Sequence, residues 1–357
     1  MKMLRILAFP LAPLYGAVVR ARNLAFDNHP ERAARAGLPV ISIGNLSLGG
    51  TGKTPVTLFL AEGLQKLGWS SVVLSRGYGG RRRVDPMTVD WPTSPLLAGD
   101  EPVLMARRLG PGRVVVARRR IEGAQLVHSF VPKPRCLLLD DGFQHRALHR
   151  DLDLLLLDGV KRWGNGRMVP LGDLREPMSS AARAHALIIT RAARAPMAEI
   201  RSWWDQHGSR GPVFGVDFAI SALRNWTTGE RLLLPDTLGR SFLAFCALGN
   251  PQAFLADLMV AGVRWVADRT FHDHHRVTPR ELQLIEQQAT ESGAEALVCT
   301  EKDAVKLDQS HRAVLNLPLY VAEQSLLGGE ELLTWVVARL ETFSTEPPPA
   351  TMEAPPA

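Results

Sequence analysis

Cysteine is scarce: Cys136, Cys246 and Cys299 are the three in 357 residues. None is spaced from another as zinc ligands are, and each sits in an apolar, strand-like run. That argues against a zinc site or a disulfide framework and for buried thiols in a reducing compartment. Long apolar runs are missing too. The stretch Ile6–Val19 falls short of the ~20 residues a membrane-crossing helix needs, and Pro10 and Pro13 interrupt it. No small-x-small cleavage site follows, so a secretory signal is not indicated. There are no internal repeats, and no RRM-, KH- or zinc-type signature supports nucleic-acid binding. Acidic residues are the minority, 36 against 42 basic, giving a net charge of +6 and a pI near 9.5. The excess points to an anionic partner, whether nucleic acid, an acidic membrane surface or a phosphorylated substrate.

What is present is a globular composition, 46% hydrophobic and 22% charged, in a length that suits two domains. One stretch organises the rest. Pro39-Val40-Ile41-Ser42-Ile43 reads as a buried strand, and Val56 to Leu67 carries apolar residues at helical spacing. Between them lies Gly44-Asn45-Leu46-Ser47-Leu48-Gly49-Gly50-Thr51-Gly52-Lys53-Thr54-Pro55. Strand, glycine-rich turn, Gly-Lys-Thr and helix is the context of a phosphate-binding loop. Main-chain N–H groups of Ser47, Gly49, Gly50, Thr51 and Gly52 can face phosphate oxygens at a helix N-terminus. Lys53 then reaches the β- and γ-phosphates, and Thr54 offers a hydroxyl to Mg²⁺. Ser47 stands where the standard pattern has its first glycine.

Further strands read at Ser71–Ser75, Val114–Ala117, Cys136–Leu139, Leu154–Asp158 and Ala186–Thr190. Their near-continuous apolarity predicts a parallel sheet covered on both faces. The strand before Asp140-Asp141 ends in paired acids, as a second phosphate-binding motif that holds Mg²⁺ requires. Asp100 falls at a helix start, where capping alone accounts for it. The arginine runs at 81–83 and 118–120 suit either a solvated loop or a grip on anions. His145 and His149 are four apart, but the neighbouring arginines disfavour zinc. From Val213 onward alternation and a turn at Asn225–Glu230 predict a β-hairpin, followed by a second α/β unit with strands at Phe242–Cys246 and Leu297–Thr300 and a helix at Gln252–Ala261. Thr270–His275 reads as a polar loop. The segment before Val19, flanked by Lys2, Arg5, Arg20 and Arg22, suits a core helix or an interfacial anchor, and the anchor is the favoured reading.

Taken in order, these motifs resemble the tetraacyldisaccharide 4′-kinase (lipid A 4′-kinase) family of Gram-negative bacteria. The matching pieces are Gly44-Asn45 with Gly49–Pro55, Ser75-Arg76-Gly77-Tyr78-Gly79, Gly99-Asp100-Glu101-Pro102 and Asp140–His145. Leu174-Arg175-Glu176-Pro177, Gly249-Asn250-Pro251, Phe271-His272-Asp273-His274 and Thr300–Lys306 complete the set. Ser47 also looks like that family, which keeps Ser or Thr there. The family usually has Ala-Gly-Pro where this chain has Leu171-Gly172-Asp173.

The resemblance implies an α/β, P-loop NTPase-like, mostly parallel sheet core with helices on both faces, plus a smaller α/β domain joined by a β-hairpin linker. The expected division is an interfacial helix at 1–22, the core at 23–212, the linker at 213–235, the second domain at 236–344 and a disordered tail at 345–357. It implies ATP- and Mg²⁺-dependent phosphorylation of the 4′-hydroxyl of a lipid A disaccharide 1-phosphate. The expected location is peripheral, at the cytoplasmic face of the inner membrane. Asp100 and His274 are the implied catalytic pair; Thr54, Asp140, Asp141 and Glu101 are the metal candidates. His272 and His275 are expected to carry no chemistry.

Two other classes of nucleotide-binding protein fit the sequence less well. A GTPase switch needs an Asn/Thr-Lys-x-Asp motif, and in Thr300-Glu301-Lys302-Asp303 the Lys and Asp are adjacent instead. A nucleic-acid-binding ATPase rests on the basic balance alone, and no nucleic-acid partner is expected.

Overall fold

The computed structural model describes residues 11–343; positions 1–10 of the expected anchor and the expected 345–357 tail lie outside the described residues. The principal elements begin with α1 (Leu11–Asn28), β1 (Val40–Asn45), α2 (Lys53–Lys66), β2 (Ser71–Ser75), β3 (Met87–Val89) and α3 (Asp100–Leu109). Next come β4 (Val114–Val116), α4 (Arg120–His128), β5 (Cys136–Asp140), β6 (Leu152–Asp158), β7 (Ala186–Thr190) and α5 (Met197–His207). The remainder is β8 (Val213–Asn225), β9 (Arg231–Leu233), β10 (Phe242–Cys246), α6 (Pro251–Val260), β11 (Trp265–Thr270), α7 (Pro279–Glu291), β12 (Ala296–Thr300), β13 (Leu319–Leu327) and α8 (Glu330–Phe343).

One sheet runs through the described residues in the order β11-β10-β12-β13-β8-β7-β6-β1-β5-β2-β4-β3, with β9 on β8. The strands from β7 to β4 pair in parallel, and every residue of β1, β2, β5, β6 and β7 is buried. Apolar residues on both sides of each strand allow helices to cover both faces, as the composition of these runs demands. The three cysteines lie free and buried in β5, β10 and β12, and burial pushes the Cys136 thiol up to about 12.

β8 is the seam of the molecule. Its first residues pair in parallel with β7, Leu187 opposite Val213 through Thr190 opposite Val216. From Asp217 onward it runs antiparallel to β13, to Tyr320 opposite Asn225. β9 adds the expected hairpin, with Ala222 opposite Leu233. The strand that accompanies β8 across the seam is therefore β13, about a hundred residues further on. α8 then returns to the first unit: Leu332, Val336 and Leu340 share a core with Ile43, Val56, Leu60 and Leu64. The expected 236–344 unit thus shares its last helix with the phosphate-loop core. Truncating one of these fully buried leucines would cost about 2–5 kcal/mol.

Candidate active site

β1 delivers the phosphate loop to the C-terminal edge of the sheet, and α2 starts at Lys53. Gly52 caps that helix at φ +81°, and a Cβ there would lie 2.4 Å from Cζ of Phe218 on β8. A side chain is therefore excluded twice, by the left-handed backbone and by the approach of β8. Cβ atoms built on Gly49 and Gly50 would meet nothing within 4 Å, so the mouth of the loop is open. Leu48 N–H donates to the Asp173 carbonyl at 2.6 Å, and Arg175 N–H donates to the Leu46 carbonyl at 2.7 Å. The atypical Asp173 touches the loop through its main chain, a contact any residue there can supply. Thr190 Oγ1 holds the Thr51 carbonyl at 3.1 Å.

Lys53 turns its ammonium toward Asn45 Oδ1 (3.3 Å) and Asp141 Oδ1 (3.5 Å). The paired acids differ in surroundings. Asp140 is buried; Ser75 Oγ donates to its Oδ2 at 3.0 Å, while Oδ1 is buried without a partner. Burial, followed by the charges of Glu101 and Asp141, pushes its carboxyl up to about 7. Asp141 is also buried enough to be pushed up, yet Lys53 and Arg175 outweigh burial and hold it below the usual carboxylate range. Arg175 Nη1 lies 2.8 Å from Asp141 Oδ2.

This donor set fits Mg²⁺. Among the described residues no group of three or more His, Cys, Asp and Glu side chains is arranged to hold a metal alone. Mg²⁺ does not need one, because it keeps waters and phosphate oxygens and takes one or two carboxylates. The Oδ1 of Asp140 is an acceptor without a partner, whereas Asp141 is already claimed by two cations. Glu101 is exposed, but its charge is felt at Asp140.

Asp100 stands at the first position of α3. Gly99 before it has φ +95°, and a Cβ there would lie 2.4 Å from the Tyr78 carbonyl, so the glycine lets two of the motifs pack. Asp100 Oδ2 lies 3.5 Å from His274 Nδ1, and its Oδ1 lies 3.5 Å from an Nη atom of Arg276. His274 adopts a left-handed backbone, φ +63°. His275 stacks on Phe271 and bonds to Glu281, and His272 leans on His275.

Three participants went unread in the sequence: Arg276, Arg175 as the partner of Asp141, and Ser75 as the partner of Asp140. The last two lie within quoted motifs, so position was available but role was not. Of the arginine runs, Arg82 and Arg120 are buried and their neighbours Arg81, Arg83, Arg118 and Arg119 are exposed. Burial lowers the Arg120 guanidinium to about 10 despite the nearby Asp140 charge. Burial and the surrounding Arg120, Arg150, Arg76 and Arg22 lower the His145 imidazole to about 4, which keeps it neutral and makes cation binding there unfavourable.

α1 docks on this edge of the sheet. Tyr15 Oη donates to the Arg175 carbonyl at 3.0 Å, and Asn23 Nδ2 donates to the fully buried Glu176 at 2.9 Å. Arg22 and Arg183 also pair with Glu176. Leu14, Val18 and Leu24 remain exposed on the other side. No described helix is long and apolar enough to cross a membrane.

The family profile for tetraacyldisaccharide-1-P 4′-kinase (LpxK) matches residues 4–341. The chain belongs to that family. A tetraacyldisaccharide 4′-kinase of Anaeromyxobacter dehalogenans (strain 2CP-C) is 38% identical over 333 residues, covering 91% of this chain and 87% of the relative. One from Koribacter versatilis (strain Ellin345) is 36% identical over 326 residues, covering 89% and 93%. A crystal structure of LpxK from Aquifex aeolicus in complex with ATP superposes with a TM-score of 0.75 at 30% identity, covering 94% of this chain and 99% of that one. The α/β P-loop kinase fold is thereby shared.

Proposed function

We propose that this chain transfers the γ-phosphate of ATP to the 4′-hydroxyl of a tetraacyldisaccharide 1-phosphate, with Asp100 and His274 handling the proton. Kinase activity in lipid A biosynthesis comes with the family. The residue roles rest on the arrangement of side chains. Phosphoryl transfer passes through a loose transition state, so the protein must align the reactants and neutralise charge. Lys53 and the main-chain amides at the start of α2 supply positive charge where the β- and γ-phosphates bind. Thr54 and Asp140 are the residues that would hold Mg²⁺, with Glu101 and Asp141 beside them, and the ion's contribution is to offset phosphate charge.

The sugar oxygen forms a bond to the γ-phosphorus as the bond to the ADP oxygen breaks, and its proton passes to Asp100. An ordinary aspartate has a pKa of about 3.9 and is a weak base. The imidazole of His274 orients that carboxylate and shares the proton. The observation that carries this reading is the 3.5 Å approach of His274 Nδ1 to Asp100 Oδ2 across 174 residues of sequence.

The proposed location is the cytoplasmic face of the inner membrane. α1 supports it: Tyr15, Val19 and Asn23 face the protein, while Leu14, Val18 and Leu24 form an exposed apolar face with Arg20 and Arg22 at its edges. Burying those three side chains contributes on the order of 5 kcal/mol before ordering costs, which suits reversible interfacial attachment.

The test is to incubate purified protein with labelled ATP and tetraacyldisaccharide 1-phosphate. Label should appear in the lipid, without preference for GTP. ATP turnover indifferent to the lipid acceptor would reject the proposal.

A further inference from the structure

The motif Thr300–Lys306 has no place in the chemistry described above, yet it touches both halves of the proton-handling pair. Glu301 Oε1 accepts from Arg108 at 3.0 Å, and the Ala304 carbonyl accepts from Arg107 at 3.1 Å. Both arginines lie in the last turn of α3, the helix that begins with Asp100. Arg108 also pairs with Glu62 on α2, the helix that begins with Lys53. On its other side the motif grips the loop of His274. Lys302 Nζ lies 3.3 Å from Asp273 Oδ1, which itself accepts the His274 N–H at 3.0 Å. Lys306 Nζ donates to the His275 carbonyl at 3.2 Å.

Both grips have a rigid base. Lys306 and Asp303 form a buried ion pair at 3.1 Å, each side chain 2% exposed. Asp303 Oδ2 in turn accepts from Thr300 Oγ1 and from the Ala247 N–H. His274 needs such support, because a non-glycine residue at φ +63° persists only where its neighbours fix it. Residues 273 and 275, on either side, are the two that the lysines hold.

We propose that the Glu301–Lys306 turn is a positioning brace that sets the separation of Asp100 and His274, with Lys302 and Lys306 as positioning residues acting through His274. This deepens the acid–base reading and rests on it. Glu301 fixes the far end of a stiff helix, so it fixes where Asp100 stands; the lysines fix the loop that meets it.

The experiment pairs a double-mutant cycle with hydrogen–deuterium exchange, using Lys302→Met, His274→Ala and the double variant of the full chain. Lys302 is partly solvent-exposed, so its removal spares the core, whereas Lys306→Met, run alongside, strands the Asp303 charge. Lys302→Met should lower kcat about tenfold with the KM for ATP unchanged, and should cost nothing further in the His274→Ala background. Lys302→Arg should restore most of the rate. Exchange in the 271–276 segment should quicken while that of 46–66 stays as in the parent. Unchanged exchange at 271–276, or a kcat loss that multiplies in full with His274→Ala, overturns the brace. Parental turnover by His274→Ala, with exchange still quickened by Lys302→Met, would instead sink the acid–base reading and leave the brace standing as a structural device.

Discussion

Lys53, Asp140 and Ser75 sit on β1–α2, β5 and β2, which are linked through adjacent parallel strands, whereas Asp100 and His274 meet across 174 residues from opposite sides of the β8–β13 seam. In the first region the side chains are buried or nearly so, and the contacts are hydrogen bonds in a single packed core. In the second, His274 is more than half exposed and its contact with Asp100 is long. The difference matches the role proposed for each region. Charge neutralisation works best when dipoles and cations are fixed beforehand. A carboxylate that takes a proton from an incoming hydroxyl needs open space beside it, and on the proposed reading Asp100 and His274, brought from two separate elements, provide it. Closure on substrate can then complete the second region without disturbing the first.

Three variants test that contrast. The largest effect is expected from Lys53→Ala, which should lower turnover by about 10³-fold or more and weaken ATP binding as well. Steady-state kinetics with direct nucleotide binding would check both. Asp100→Asn and His274→Ala should each lower kcat by about 10²-fold while ATP binding stays near the parental value. Loss of ATP binding in either would erase the distinction between the two regions.

The smallest effect concerns His145. Its folded pKa of about 4 lies below the ordinary 6.5, so the unfolded chain takes up the proton first as pH falls. Stability from this group is complete above 6.5 and is lost between 6.5 and about 4. Thermal unfolding across that window should show His145→Asn losing a few degrees less than the parent. Parallel curves for the two proteins would show that neither burial nor the arginine cluster depresses the imidazole.

Much of the first unit could be read directly. β2 and β7 begin and end where their apolar runs do, because a strand buried on both faces must be apolar throughout. β11, Trp265–Thr270, is not legible in the sequence because it is an edge strand with most residues half or fully exposed, so its Asp268 and Arg269 look like loop. β13 is equally hard to read because Glu323-Gln324-Ser325 interrupts its apolar pattern at a bulge. α8 carries a regular apolar stripe, but nothing local says that Leu332 and Val336 belong to the core of a helix 270 residues earlier. In the site, Lys53, Thr54 and the paired acids announce themselves through backbone context. Arg276 does not, since an arginine after a histidine loop has no local signature.

The chain's own pattern determined the phosphate loop, the parallel core and the identity of the acids. Each follows from short-range rules of glycine conformation, strand burial and helix polarity. Only the tertiary structure decided that Asp140 keeps a free oxygen while Asp141 is neutralised, and that Arg276 and the Thr300–Lys306 turn attend the Asp100–His274 pair. Those outcomes depend on charges brought together over long sequence separations, where the Coulomb interaction responds to distance in space and not to position along the chain.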